Sequence, residues 1–241
     1  MEDAFARARS LIATARSVAV LTGAGVSAES GIPTFRGAGG WWRTHRAEDL
    51  ATPEAFARDP RLVWQWYEER RQGAAAAAPN PAHHALVALE RRVAAFTLVT
   101  QNIDGLHQRA GSRNVIALHG DLWTVRCTRC GAEREDRTVP LPELPPRCRC
   151  GGVERPAIVW FGESLPSGAM DRAADAVAES DVTLVVGTSS VVQPAASLVW
   201  VALHRDIPVI EVNPEPTDVS ARAVWIAGKA GEVLPGLVPA A

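Results

Sequence analysis

A chain of 241 residues, 47% hydrophobic and 22% charged, is long enough to bury a core in one domain or in one large and one small lobe. Its formal net charge of −2 gives no electrostatic case for nucleic acid or an anionic membrane. No run approaches the ~20 apolar residues needed to span a bilayer. The N-terminus Met1-Glu2-Asp3-Ala4-Phe5 carries acids where a signal peptide carries bases, so a cytoplasmic protein is expected. In that reducing compartment four clustered cysteines are metal ligands before they are disulfides.

The periodicity of residues 4–16 predicts a helix with Phe5, Ala8, Leu11, Ile12 and Ala15 on one stripe, covering a sheet. Val18-Ala19-Val20-Leu21 is short and apolar, as a buried parallel strand is. Gly23 and Gly25 follow it and allow a tight turn in which backbone N–H groups approach a phosphate closely. The dinucleotide fingerprint is incomplete, with Ala28 at its sixth position, and a plain strand–turn–helix corner fits Gly-Ala-Gly equally well. Residues 38–50 mix glycine hinges with Trp41 and Trp42, a composition suited to a loop that orders over a ligand.

Thr52-Pro53 caps and opens a short helix. A longer helix is expected over 60–78 and another over 82–92. Strands follow at 96–100, 115–118, 182–186, 208–212 and 223–226, with helices at 168–179 and 194–204. Between them, 124–156 has little periodicity, much proline and all four cysteines, so it reads as a metal-stapled insertion. Strands alternating with helices imply an α/β fold, a doubly wound Rossmann-like parallel sheet with a smaller zinc-binding and helical lobe inserted. The large lobe is expected over about 1–36, 93–122 and 157–241, and the small lobe over about 37–92 (helical) and 123–156 (zinc ribbon). Gly23, Asn102, His119, Thr188 and Asn213 all fall just past strand C-terminal ends, the edge where ligands of open α/β sheets bind.

The continuation from Ser27 is far more specific. Gly-Ala-Gly-Val-Ser-Ala-Glu-Ser-Gly-Ile-Pro-Thr-Phe-Arg resembles the signature of the sirtuins, the NAD-dependent protein lysine deacylases. Thr100-Gln101-Asn102-Ile103-Asp104, Leu118-His119-Gly120, a paired-cysteine module and Gly187-Thr188-Ser189 match further blocks in order, so the resemblance covers nearly the whole chain. It implies NAD as cofactor, one structural zinc per chain, acyl-lysine proteins or peptides as substrates, and neither nucleic acid nor membrane as a direct partner. The products would be deacylated lysine, nicotinamide and O-acyl-ADP-ribose.

Carried onto this sequence, the resemblance makes His119 the general base that activates a ribose hydroxyl, and an imidazole suits proton abstraction near neutral pH. Asn102 would bind the ribose and an ordered water, Asp104 with Ile103 would hold the nicotinamide carboxamide, and Gln101 would bond ribose. Asn102 or Asp104 could also simply cap the next helix. Gly23, Ala24, Gly25 and Ala28 belong to the cofactor loop. Ser27 and Arg36 would contact the phosphate and ribose region, and Phe35 would shield the reactive sugar face. Gly187, Thr188, Ser189, Asn213 and Ala230 match positions holding the adenosine half. His45, His83, His84, His107 and His204 read as structural.

Cys127-x-x-Cys130 and Cys148-x-Cys150 supply four thiolates, a closed and therefore structural zinc site. Val159, Phe161, Gly162 and Glu163 lie in the segment on which the family's substrate peptide pairs as an added strand; a buried strand is the alternative. Tyr67 and Arg70 lie three residues apart on a helix and so share a face. A phenol beside a guanidinium grips a carboxylate, and the pair falls where the class III, bacterial-type desuccinylase and demalonylase subgroup carries Tyr-x-x-Arg. Small Ala47 and Ala51 match positions near that acyl pocket. Succinyl- or malonyl-lysine is thus expected as the favoured substrate, with acetyl-lysine also used. A mono-ADP-ribosyltransferase using the same site, or a non-enzymatic NAD or ADP-ribose sensor, remain as alternatives.

Overall fold

The computed structural model describes residues 2–34 and 47–238. Phe35, Arg36, the Trp41-Trp42 stretch and the side chain of Ala47 lie outside the described residues.

The elements in chain order are α1 (Glu2–Thr14), β1 (Ser17–Thr22), a 3-10 turn (Ala24–Ser30), α2 (Ala47–Leu50), α3 (Pro53–Arg58), α4 (Pro60–Ala76) and α5 (Pro81–Arg92). There follow β2 (Ala95–Thr100), α6 (Leu106–Ala110), β3 (Val115–Ala117), β4 (Gly120–Cys127), β5 (Glu133–Glu135) and β6 (Glu154–Ile158). The chain closes with α7 (Ala169–Ala178), β7 (Val182–Val186), α8 (Ser197–His204), β8 (Val209–Asn213), β9 (Val224–Ala227) and α9 (Ala230–Leu237). No described helix is long and apolar enough to cross a membrane.

Three helix starts share one chemical device. Thr52, Asp59 and Asn80 each accept a backbone N–H of the first turn through the side chain, and each is followed by a proline that needs no donor partner there. The alanine run after Arg71 is helical to Ala76 and stops before Pro79, where the missing N–H ends the helix.

The parallel six-stranded sheet has the order β3-β2-β1-β7-β8-β9. The chain builds outward from β1 to β3, then returns to add β7 on the other side of β1. That reversal opens a crevice at the C-terminal ends of β1 and β7. Within β1 the pleat sorts side chains by face: Val18 and Val20 join the core beneath α1, α5 and α9, while Ala19 and Leu21 join the one beneath α7 and α8. A strand apolar at every position is therefore buried on both sides.

α5 contributes Ala82, Ala85, Leu86 and Leu89 to the same core as the six-stranded sheet. This corrects the grouping of residues 81–92 with the small lobe: an apolar helix stripe follows the nearest apolar face, whatever insertion precedes it. The return to the large lobe, expected at about residue 157, also differs. β6 belongs to a three-stranded sheet of order β5-β4-β6, and Val159–Glu163 continues as a turn.

α4 packs on that small sheet through Val63, Trp64 and Tyr67 against Leu122, Trp123, Val125, Ile158 and Trp160. Arg71, fully buried, fastens it. Its guanidinium donates to the carbonyls of Leu122 (2.5 Å), Asp136 (2.8 Å) and Thr138 (2.9 Å) and lies within 4 Å of the Glu68 and Asp136 carboxylates. Removing one partner of such a buried charge strands the rest without solvent, which costs ~3–5 kcal/mol.

Candidate active site

The crevice at the switch point is held by glycines. The Gly25 N–H donates to the Gly187 carbonyl at 2.8 Å, and the Gly23 N–H to the Val186 carbonyl at 3.1 Å. A Cβ on Gly25 would meet Gly187 Cα at 2.8 Å, and Gly187 itself has φ +60°. The two loops touch backbone to backbone, which only glycine permits. The Gly23 and Gly25 amides, expected to approach a phosphate, are therefore engaged inside the protein. What these glycines supply is closeness between β1 and β7.

Above them lies a cavity of about 1030 Å³ running along the sheet edge. Of the cofactor candidates, Gly23, Ala24, Gly25, Ala28, Gln101, Asn102, Ile103, Gly187, Thr188, Ser189, Asn213 and Ala230 line it, as does His119. Tyr67, Arg70, Val159, Phe161, Gly162 and Glu163 line the same cavity, so both groups meet in one place. Ser27 and Asp104 line an adjoining cavity of about 80 Å³, shared with Asn102, Ile103 and Arg70.

Asn102 sits where β2 ends. Its side-chain Nδ2 donates to the Gly23 carbonyl (3.0 Å) and to Ser27 Oγ (3.2 Å), while its own N–H is held by Thr100 Oγ1 (3.0 Å). Behind this lies a buried chain: Thr22 Oγ1 donates to Thr100 Oγ1 (2.9 Å) and therefore accepts from His107 Nε2–H (3.0 Å). His107 is thus a structural histidine, in line with the expectation for it.

Asp104 caps the next helix, one of the two readings open for it, and also holds Ser27. One oxygen fixes the start of α6 by accepting the Leu106 N–H at 2.8 Å, and the other accepts the Ser27 hydroxyl at 2.8 Å. Burial raises its carboxyl above the usual range, against those hydrogen bonds. Ser27 reaches Asp104 and Asn102 rather than the large cavity.

His119 stands between β3 and β4. Its Nδ1 lies 3.0 Å from the Gln101 carbonyl, which only accepts, so Nδ1 carries the proton and Nε2 keeps its lone pair. Burial pushes the imidazole below its ordinary range, with the bond to Gln101 acting the other way. That is a neutral base beside a cavity at physiological pH.

Tyr67, the sole tyrosine of the chain, is 1% exposed yet reaches the cavity. Its oxygen accepts the Trp160 indole N–H at 2.8 Å, and its own proton has no acceptor among the described residues. Burial raises its pKa, so the hydroxyl remains a donor. Arg70 stacks over Trp66, 4.0 Å from the ring centroid. Glu163 lines the cavity, but its side chain is engaged within the protein. Its carboxylate is bidentate to Arg155 (2.6 and 2.8 Å) and also accepts the Trp160 N–H. The N–H groups of Val159 and Phe161 are used by His119 and Ala51 carbonyls, while the Gly162 N–H and the carbonyls of Val159 and Phe161 have no backbone partner among the described residues.

The four cysteine sulfurs lie within 4.8 Å of one another, with Cys127–Cys150 at 3.5 Å and Cys130–Cys148 at 3.7 Å. Tetrahedral zinc with Zn–S of ~2.3 Å places its sulfurs ~3.8 Å apart, so the set fits that ion. A Cβ on Gly152 would meet Cys127 Sγ at 2.8 Å, so glycine is needed for the loop to close on the sulfurs. The irregular Cys-x-Cys pair is accommodated.

Sequence reasoning missed Trp160, Thr22, Thr100 and Glu211. Glu211 had a visible signal: a lone acid inside the apolar strand Val209-Ile210-Glu211-Val212. Trp160 had none, because its partner Tyr67 is 93 residues away.

Comparison with known proteins identifies the family. Residues 23–194 match the Sir2 family model. A protein from Aquifex aeolicus described as an NAD-dependent protein deacylase is 57% identical over 205 residues, 85% of this chain and 86% of that one. A solved Sir2 homologue–NAD complex superposes with a TM-score of 0.91 at 50% identity, covering 97% of this chain and 92% of that one. A Sir2 protein bound to a myristoylated histone peptide superposes with a TM-score of 0.80 at 37% identity, covering 99% and 96%. The chain belongs to the Sir2 family, the sirtuins.

Proposed function

We propose that this sirtuin is an NAD-dependent protein-lysine deacylase that favours lysines carrying a short acidic acyl group, succinyl or malonyl, and also accepts acetyl. The observation that carries the acyl preference is the Tyr67–Arg70 pair on the wall of the cavity that also holds His119. A hydroxyl proton and a guanidinium side by side match the two oxygens of a carboxylate.

NAD fits the residues present: the cavity is long, its floor is glycine backbone, and Asn102, Gln101 and Asn213 offer amide groups along it. When bound, the dinucleotide supplies an electrophilic sugar carbon with nicotinamide as the leaving group. The protein's part is orientation and exclusion of water. Asn102, fixed through Gly23, Ser27 and Thr100, presents its side-chain oxygen at the strand end. Asp104 and Ile103 border the small adjoining cavity, whose size and polar rim suit a planar carboxamide. His119 Nε2 takes the proton of a ribose hydroxyl, and the Gln101 carbonyl holds the resulting imidazolium through Nδ1–H. The cysteine module keeps no coordination position for substrate and acts as scaffold.

The test compares NAD-dependent nicotinamide release on matched succinyl-lysine and acetyl-lysine peptides, for the wild type and Arg70→Met. The expected result is a succinyl-to-acetyl ratio that falls at least ~10-fold, as loss of a charge-assisted hydrogen bond implies. A ratio unchanged by Arg70→Met would remove the acyl preference and leave general deacylation.

A further inference from the structure

A structural histidine can still set the geometry of a site. His83 on α5 and His107 on α6 are 0% and 1% exposed, and neither lines either cavity. Their rings are in contact, with centroids 4.8 Å apart. No proposed chemical step uses them. Each keeps one ring nitrogen without a hydrogen-bond partner among the described residues, Nε2 in His83 and Nδ1 in His107. Buried nitrogens are normally paired, so two left over on adjoining rings call for a reason.

The protons supply it. The Asn80 N–H donates to His83 Nδ1 at 3.2 Å, so Nε2 of that ring carries the proton. A proton on His107 Nδ1 would then set two N–H donors on adjoining rings with nothing to accept either. With the proton on Nε2 instead, Nδ1 is an acceptor and Nε2–H donates to Thr22 Oγ1 at 3.0 Å. Both sides of His107 thus select the same tautomer.

The chain continues to the edge of the site. Thr22 and Thr100 stand opposite each other at the ends of β1 and β2, and Thr22 passes its proton to Thr100 Oγ1 at 2.9 Å. Thr100 Oγ1 accepts the Asn102 N–H at 3.0 Å, and the Gly23 carbonyl, next after Thr22, accepts the Asn102 side chain at 3.0 Å. The hydroxyl pair therefore braces both anchors of Asn102. Two hydroxyls alone can donate in either direction, and the His107 N–H leaves only one.

We propose that His107 is a positioning residue for Asn102: held in one tautomer by His83, it fixes the Thr22–Thr100 bridge from which Asn102 is hung. The inference rests on the part in the reaction proposed above for Asn102.

The experiment measures kcat and the KM for NAD, with an acetyl-lysine peptide and a succinyl-lysine peptide, for the wild type, His107→Phe, His107→Gln, Thr22→Val, Asn102→Ala and the double variant His107→Phe/Asn102→Ala. His107→Phe is expected to lower kcat ~10-fold with the KM for NAD within ~3-fold, because the brace touches no ligand. His107→Gln can still offer an N–H to Thr22 and should recover most of that loss, whereas a role in filling space would favour Phe. Thr22→Val keeps the volume and breaks the chain; it should match His107→Phe, and it carries the test if His107→Phe fails to fold. On the Asn102→Ala background, His107→Phe should change kcat by less than ~2-fold, since a residue that acts through Asn102 has nothing left to position. Unchanged kcat in the folded single variants, a loss in KM alone, no recovery in His107→Gln, or an undiminished loss in the double variant overturns the inference alone. An Asn102→Ala protein with full kcat removes the role of Asn102 and the inference with it, as does a wild type with no NAD-dependent turnover of either peptide.

Discussion

Trp160 and Tyr67, 93 residues apart in the chain, share one hydrogen bond of 2.8 Å in which the indole N–H is the donor and the phenol oxygen the acceptor. The bond aims the phenol's own proton away from Trp160. Trp160 is itself held by Arg155, whose guanidinium carbon lies 3.3 Å from the ring centroid while its nitrogens clasp Glu163. Replacing Trp160 by Phe keeps most of the ring and deletes the donor. Succinyl-lysine kcat/KM is expected to fall ~3–10-fold, the value of about 1 kcal/mol for one hydrogen bond, with acetyl-lysine falling less. Equal losses on both peptides would mean that Trp160 only fills space.

The pH profile should report His119. Burial lowers its pKa, and a base must be neutral to act. The acid limb of kcat/KM is therefore expected below ~6.5, the ordinary value for histidine. A limb above that value would assign the base elsewhere or reverse the environment of His119.

Stability should depend on acid through two buried histidines. His83 and His107 pack with ring centroids 4.8 Å apart. Burial lowers them to about 4 and about 3 respectively, each reinforced by a neighbouring histidine. In the unfolded chain both take up protons near pH ~6.5, so from there down to about 4 the unfolded state holds more protons and stability falls as pH falls. Each contributes a slope approaching ~1.4 kcal/mol per pH unit. His119 acts in the same direction, and the raised carboxyl of Asp104 opposes it at lower pH. Denaturant unfolding at pH 7, 6 and 5 measures this slope, and a flat line over that range would contradict the buried, neutral pair.

Metal removal should separate the lobes functionally. A chelator or Cys150→Ser is expected to release one zinc per chain, lower Tm and abolish turnover, because the small sheet carries α4 and Trp160. The adenosine end stands on the six-stranded sheet, so NAD affinity should change by less than ~3-fold. Atomic absorption with calorimetry on the same sample checks both halves. Full activity in metal-free protein would reject the scaffold role.

The sheet was legible because its strands are apolar on both faces and are punctuated by glycine, as in Val18–Gly23 and Val182–Gly187. The candidate site was legible because ligands of such sheets bind past strand ends, and His119, Asn102 and Asn213, which fall there, line one cavity. Less local facts escaped. The amides of Gly23 and Gly25 bond to β7 and its loop, a partner about 160 residues away that no local pattern announces. α5 was misplaced because an amphipathic stripe says that a face is buried without saying against what. The clasp of Arg155 on the Glu163 carboxylate, eight residues along the chain, likewise has no signature in the sequence.

The contact between Gly25 and Gly187 also limits how this protein can change. Each glycine occupies the space that a side chain on the other would need, and Gly187 adds a left-handed backbone that other residues resist. Neither position can be altered first and repaired by the second, since enlarging either one drives the two loops apart. Any lineage descended from this arrangement inherits both glycines as a single unit, and variation in cofactor handling must come from the surrounding side chains.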